Sequence, residues 1–120
     1  MSACPYCSLT LEDAWIVTED AVAVPHTKPL AVCHIVIASR RHVSAFYDLD
    51  VQEQRMVWNM VGEIRNRIES YVKVEGFDLG FEDGSPGDEN AAHAVVHVVP
   101  RTPGAHVRLP RGIEWVDFSK

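Results

Sequence analysis

The chain has 120 residues, 47% of them hydrophobic, which fits one globular domain (1–120) of a size where a single core suffices but a metal or a partner still helps. Its formal charge of -6 and pI near 5.4 oppose a nucleic-acid role, since such binding rests on cationic contacts to phosphate. No run of about 18 apolar residues occurs, and Met1–Pro5 has neither a basic n-region nor an apolar h-region, so neither a membrane span nor a secretory signal is expected.

The first landmark is Cys4-Pro5-Tyr6-Cys7. Two thiols in Cys-x-x-Cys spacing can clamp one metal ion, or they can be plain thiols. The third cysteine, Cys33, stands apart; the odd count suits a reducing compartment, and a cytoplasmic location is expected. Trp15-Ile16-Val17-Thr18, the polar pair Glu19-Asp20 and Ala21-Val22-Ala23-Val24 read as a β-hairpin closed by Pro25. His34-Ile35-Val36-Ile37-Ala38 is a short apolar run, predicted as a buried strand and left through the polar group Ser39-Arg40-Arg41-His42.

From Asp50 the period becomes helical. Val57, Met60, Val61, Ile64, Ile68 and Val72 recur at spacings of three and four, with Asp50 as N-cap, Glu53 at the capping-box position and Gly76 past the end. Met56 and Trp58 on this helix read as core or dimer contacts. Phe77 to Phe81 suggests another strand, and Gly84, Pro86 and Gly87 mark a loop over residues 82–90. Strands gathered around one long helix argue for an α+β fold with a largely antiparallel sheet.

The last strand, His93-Ala94-Val95-Val96-His97-Val98-Val99-Pro100-Arg101, carries the most chemistry. Strand side chains alternate, so His93, Val95, His97 and Val99 share one face, and two imidazoles flank a valine. The tail from Arg101 to Lys120, with two prolines and two glycines, reads as irregular.

In order and spacing these landmarks resemble the histidine-triad (HIT) superfamily, in a bacterial branch that opens with a cysteine pair. The match runs from Cys4 to about Trp115: the cysteine pair, His34 eight residues before His42, the long helix, Glu82-Asp83-Gly84, the strand ending His97-Val98-Val99-Pro100-Arg101, and Pro110-Arg111-Gly112-Ile113-Glu114-Trp115. The resemblance implies a five-stranded antiparallel sheet bearing one long helix and a short helix, and a homodimer whose sheets join. It also implies a closed structural zinc site in the N-terminal segment 1–10, made by Cys4 and Cys7 with His42 and His93.

The family motif is three histidines alternating with apolar residues. This chain keeps the first as His93 and the third as His97, and holds Val95 where the family has its nucleophile. In the family that middle histidine attacks the α-phosphorus of a nucleotide and is freed by water, which needs a lone pair that valine lacks. The family's phosphate-binding glutamine falls at Glu89, its serine or threonine partner at Asn90 and its ribose-side asparagine near Glu82. Asp83 and Asp88 add further acids. A carboxylate about 4 Å from a phosphate oxygen costs roughly 1 kcal/mol in water and about 4 at an effective dielectric near 20, so this loop disfavours the family's usual ligand.

His34 and His97 resemble pocket residues, or are satisfied buried histidines. Cys33 replaces a glycine that commonly precedes His34, and a buried thiol there is a small hydrophobe before it is a nucleophile. Arg101, Arg108 and Arg111 hold an anion near the dimer seam or are solvated. The expectation is therefore a zinc-stabilised binding or accessory protein with a nucleotide-type pocket that has lost hydrolytic chemistry. The alternatives are a divergent enzyme acting on a small non-phosphate substrate with His97 as acid or base, and a weak nucleotide phosphoramidate hydrolase.

Overall fold

The computed structural model describes Cys4, residues 6–81 and residues 93–104. The expected hairpin forms as β1 (Ile16–Val17) and β2 (Ala21–Pro25), with Ile16 opposite Ala23 and Val17 opposite Val22. Thr18 closes its turn. The Thr18 amide donates to the Ala21 carbonyl at 2.8 Å and the Ala21 amide donates to Thr18 Oγ1 at 3.1 Å, so the turn meets these backbone groups locally.

The apolar run becomes β3 (Ile35–Ser39), all five residues buried and antiparallel to β2. A single 3-10 turn, Phe46–Asp48, takes the place of the expected short helix. It leads into α1 (Val51–Tyr71), whose capping box is complete: the Glu53 amide donates to Asp50 Oδ1 at 2.8 Å, and the Asp50 amide donates to Glu53 Oε1 at 3.0 Å. The helix stops earlier than the sequence suggests. Val72 is already extended at φ -138°, and Gly76 opens β4 (Gly76–Gly80) instead of capping the helix. A Cβ at Gly76 would stand 2.5 Å from the Arg101 guanidinium, the far end of a long side chain that would have to shift to admit it.

The final strand, β5 (Val95–Arg101), inserts between β3 and β4, giving the order β1-β2-β3-β5-β4 with every neighbouring pair antiparallel. Pro100 lies beyond the last β3 pair, Ile35↔Val98, where only β4 flanks it. Alternation then sorts the two faces. Ala21, Ala23, Ile35, Ile37, Ala94, Val96 and Val98 join one core cluster with Val57, Met60, Val61, Ile64 and Ile68 of α1. Burial of each such Val, Ile or Met side chain contributes on the order of 1.5–3 kcal/mol. On the other face, Val22, Val24 and Ala38 are covered by Tyr6, Leu9, Ala14 and Val95. The N-terminal segment thus lies on the sheet face opposite α1, the face that bears His93 and His97.

Among the described residues no helix is long and apolar enough to cross a membrane.

Candidate metal centre and histidine pocket

Two histidine clusters occupy this second face. In the first, two backbone bonds pin the start of β5 to the loop after β3: the Ala94 amide donates to the Val43 carbonyl at 2.8 Å, and the Ser39 amide donates to the Ala94 carbonyl at 3.2 Å. That docking sets His93 beside His42. Cys4 and Cys7 reach the same point from the N-terminal turn, closed by the Cys7 amide on the Cys4 carbonyl at 3.4 Å. The four ligand-capable atoms lie within 4.8 Å of one another.

Their separations are those of a metal site. Cys4 Sγ to His93 Nδ1 is 3.2 Å, Cys7 Sγ to His42 Nδ1 is 3.0 Å, Cys7 Sγ to His93 Nδ1 is 3.8 Å and His42 Nδ1 to His93 Nδ1 is 3.2 Å. A tetrahedron with metal–nitrogen bonds near 2.05 Å and metal–sulfur bonds near 2.3 Å has edges of about 3.3–3.8 Å. The tautomer agrees. His93 Nε2 lies 2.7 Å from the Ser39 carbonyl, which only accepts, so the ring proton sits on Nε2 and the Nδ1 lone pair faces the other three residues. Burial lowers the His93 pKa, with the neighbouring His42 adding to the effect, while the bond to Ser39 works against it. Cys4 and His93 are buried and Cys7 and His42 exposed, so the cluster has an inner wall and an entry side.

His42 is further held through its neighbour. Arg41 donates from Nη2 to Glu53 Oε1 at 2.7 Å, from Nε to Oε2 at 3.1 Å, and again from Nη2 to the Asp48 carbonyl at 3.3 Å. The carboxylate that completes the helix cap therefore also fixes the His42 loop. Hydrogen bonding to Arg41 holds the Glu53 carboxyl below its ordinary value. Sequence reading found the cap but not this second role, because the Arg41–Glu53 spacing carries no periodic signal.

The second cluster is His26, His34 and His97. His97 stands opposite Val36 of β3 and Gly80 of β4. His26 was not among the sequence candidates; the β2–β3 register brings it in, pairing Pro25 with Ile35 and so carrying His26 opposite His34. The His26 amide donates to the His34 carbonyl at 2.9 Å, and the two rings stack at 4.5 Å, 15° from parallel.

Proximity alone would also suggest a metal here, but the ring chemistry opposes it. An ion lies in the plane of each imidazole that ligates it, and stacked rings send their in-plane lone pairs side by side. The Leu30 amide donates to His34 Nδ1 at 3.1 Å, so neutral His34 carries its proton on Nε2. That Nε2–H donates to His97 Nδ1 at 3.0 Å, leaving the His97 proton on its own Nε2. The Lys28 amide likewise donates to His26 Nδ1 at 2.9 Å. Burial, with the neighbouring imidazoles, pushes the His34 pKa down to about 3 and that of His97 to about 4. His34 and His97 thus form a hydrogen-bonded relay of neutral rings, with the His26 ring stacked on His34.

Val95 sits between the clusters, half-buried against Ala38. Arg101 lies four residues beyond His97, about 13 Å along the strand. There its Nε stands 3.9 Å from Asp78 Oδ2. Cys33 adopts φ 64°, and burial raises its thiol pKa, which favours the unreactive form. Glu82, Glu89, Asn90, Arg108, Arg111 and the segment Pro110–Trp115 lie outside the described residues.

The family model of the HIT domain matches residues 12–104. The chain belongs to the HIT domain family. It is 24% identical over 92 residues to a bifunctional bis(5'-adenosyl)-triphosphatase/adenylylsulfatase FHIT of Arabidopsis thaliana, a match covering 77% of this chain and 51% of that protein. The chain thus spans about half the length of this curated relative. Among solved structures, the NitFhit protein of C. elegans superposes with a TM-score of 0.70 at 20% identity, covering 86% of this chain and 24% of that one. The diadenosine triphosphate hydrolase of Plasmodium falciparum, in complex with Cyclomarin A, gives 0.66 at 21% identity, covering 89% and 70%. A HIT family protein of Bacillus anthracis gives 0.68 at 15% identity, covering 89% and 78%. At these identities the likeness establishes the fold: the HIT-like five-stranded antiparallel sheet with one long helix.

Proposed function

We propose that this HIT-domain protein is a zinc-bearing binding or accessory protein whose nucleotide-type pocket has lost the family's hydrolytic chemistry. The observation that carries the reading is Val95. Its place on β5, between His93 and His97, is where the resemblance puts the nucleophile, and its side chain has no lone pair to bond phosphorus. The flanking histidines support the same reading. His93 offers its lone pair to the cysteine cluster, and His97 receives at Nδ1 a bond from His34.

Zinc fits the first cluster because two thiolates and two imidazoles suit a tetrahedral site closed to substrate. Cys4, Cys7, His42 and His93 would hold it, and it would tie the N-terminal segment to the start of β5. The pocket is of nucleotide type by kinship, since the Arabidopsis and Plasmodium relatives are named for adenosyl and diadenosine triphosphates. Residues 1–120 form one domain that works in the cytoplasm as a homodimer, supported by the exposed Trp58 on α1 and Leu79 on the sheet's edge strand β4. A second reading, a divergent enzyme with His97 as acid or base, draws support from the His34–His97 bond, which would relay a proton.

The test is turnover of an adenosine phosphoramidate and of bis(5'-adenosyl) triphosphate by the wild type and by Val95→His. The expected wild-type rate is about a million-fold below that of an intact hydrolase. Wild-type turnover at ordinary hydrolase rates would sink the binding-protein reading.

A further inference from the structure

Residues 6–14 form an arm across the sheet face opposite α1, where Tyr6, Leu9 and Ala14 pack with Val22, Val24, Ala38 and Val95. Backbone bonding contributes little to that placement. Among the described residues, the one backbone bond made by residues 8–14 is internal, from the Ala14 amide to the Leu11 carbonyl at 3.3 Å. The chain joins the sheet only at Trp15, whose amide donates to the Ala23 carbonyl at 2.8 Å. At its other end the arm is tied through Cys4 and Cys7, whose sulfurs gather with the imidazole nitrogens of His42 and His93. Two ligands of that cluster thus belong to the arm and two to the body of the fold. Joining the two sulfurs to each other would remove both arm ligands at once, because the thiolate is the form that binds a metal. We propose that Cys4 and Cys7 are a peroxide-sensitive latch: their oxidation to a disulfide releases the ion of the zinc site proposed above and frees the arm from the face that holds Val95.

The local geometry allows the bond. The Cys7 amide donates to the Cys4 carbonyl at 3.4 Å, so the pair closes a four-residue turn. The end Cα atoms of such a turn lie within about 7 Å, the separation beyond which a disulfide cannot close. Cys7 is exposed and Cys4 buried, so an oxidant meets Cys7 first. Its thiolate attacks one oxygen of hydrogen peroxide, the O–O bond breaks, hydroxide leaves and Cys7 becomes a sulfenic acid. The Cys4 thiolate then attacks the Cys7 sulfur, forming the S–S bond and expelling a second hydroxide. Two thiolates lose two electrons in all, and the two peroxide oxygens gain them. Cys33 stands apart from this chemistry: it packs with the helix-side core, and burial raises its pKa, which keeps it a thiol.

The test titrates the zinc-bearing full chain with hydrogen peroxide, using wild type and Cys33→Ser. Zinc release is read with a chromogenic chelator, the disulfide by peptide mass, and the arm by its rate of chymotryptic cleavage at Tyr6 and Leu9. One zinc should appear per Cys4–Cys7 disulfide in both proteins, with cleavage about tenfold faster, and dithiothreitol with added zinc should restore slow cleavage. Zinc retained by protein that carries the disulfide would overturn the latch. So would zinc release without that disulfide, release abolished by Cys33→Ser, or an unchanged cleavage rate after release. Each of those results leaves the zinc site standing. Wild type that takes up no zinc would take down the zinc reading, and the latch with it.

Discussion

His93, two residues before β5, and His97, within it, lie on the same side of the sheet four residues apart, yet they belong to opposite kinds of chemistry. The difference lies in the partner that fixes the proton on each ring. His93 gives its Nε2–H to the Ser39 carbonyl and turns a bare Nδ1 toward two thiols and His42. His97 takes a bond at Nδ1 from His34, which is itself fixed by the Leu30 amide, and so keeps a proton rather than a lone pair on Nε2. Ring proximity cannot separate a ligand set from a relay; the backbone group behind each ring can.

The largest effect expected from this contrast concerns metal. Purified protein should carry one zinc per chain, and Cys7→Ser should lose most of it, whereas His97→Asn should keep it. Metal binding to such a site is coupled to folding, so chelation should destabilise the protein by about 3 kcal/mol or more, read as a fall in melting temperature. Unchanged metal content in Cys7→Ser, or a second ion that disappears with His97→Asn, would break the comparison.

Acid comes next. The folded-state pKa values of about 3 for His34 and about 4 for His97 lie below the unfolded value of 6.5, so the unfolded chain binds more protons in between. The stability tied to these neutral rings is complete above about pH 6.5 and is lost as pH falls toward 4 and then 3. Each ring contributes at most about 1.4 kcal/mol per pH unit over that window. Melting curves from pH 7 to pH 5 should therefore fall less steeply for His97→Asn than for wild type. The metal ligands act on both proteins and cancel in the difference; identical slopes would mean that His97 is not held neutral.

How much of this was legible in the sequence depends on the range of the interaction. The hairpin, the capping box at Asp50 and Glu53, and the apolar stripe from Val57 to Ile68 are local, and each stands where its spacing places it. The helix end was misplaced because Gly76 looked like a cap, whereas it opens β4 and pairs with Arg101, distant in sequence and adjacent across β4 and β5. The cysteine pair and two histidines were legible only through family likeness, since Cys4 and His93 meet across 89 positions. His26 was missed because its partner is set by sheet register, and no residue in its own neighbourhood announces it.

A smaller effect belongs to the link between α1 and the first cluster. Glu53→Gln keeps an oxygen for the helix cap and removes the charge that holds Arg41. The expected loss is about 1–2 kcal/mol in thermal or denaturant melts, and in the same variant zinc affinity should fall as the His42 loop loosens. Nucleotide binding should not change, because the Arg41–Glu53 pair makes no contact with the relay. Weakened nucleotide binding with intact zinc affinity would reverse the assignment of Glu53 to the first cluster.

The smallest expected effect has an informative sign. Cys33 holds φ 64°, a left-handed conformation that costs a residue with a Cβ roughly 1–2 kcal/mol. Its backbone there lets the chain turn so that the His34 amide reaches the Ala31 carbonyl at 3.2 Å and the His34 ring meets the Leu30 amide. Cys33→Gly relieves that strain but loses the thiol's packing against the helix-side core and adds freedom to the unfolded chain, so a net gain of at most about 1 kcal/mol is expected. Cys33→Ala keeps the strain and loses the packing, and should be less stable than wild type by about 0.5–1 kcal/mol. The opposite signs, measured by denaturant melts at one pH, distinguish backbone strain from side-chain contact. If both variants lose stability equally, the thiol's packing rather than the turn is what Cys33 supplies to the relay, and the left-handed turn before His34 carries no strain worth relieving.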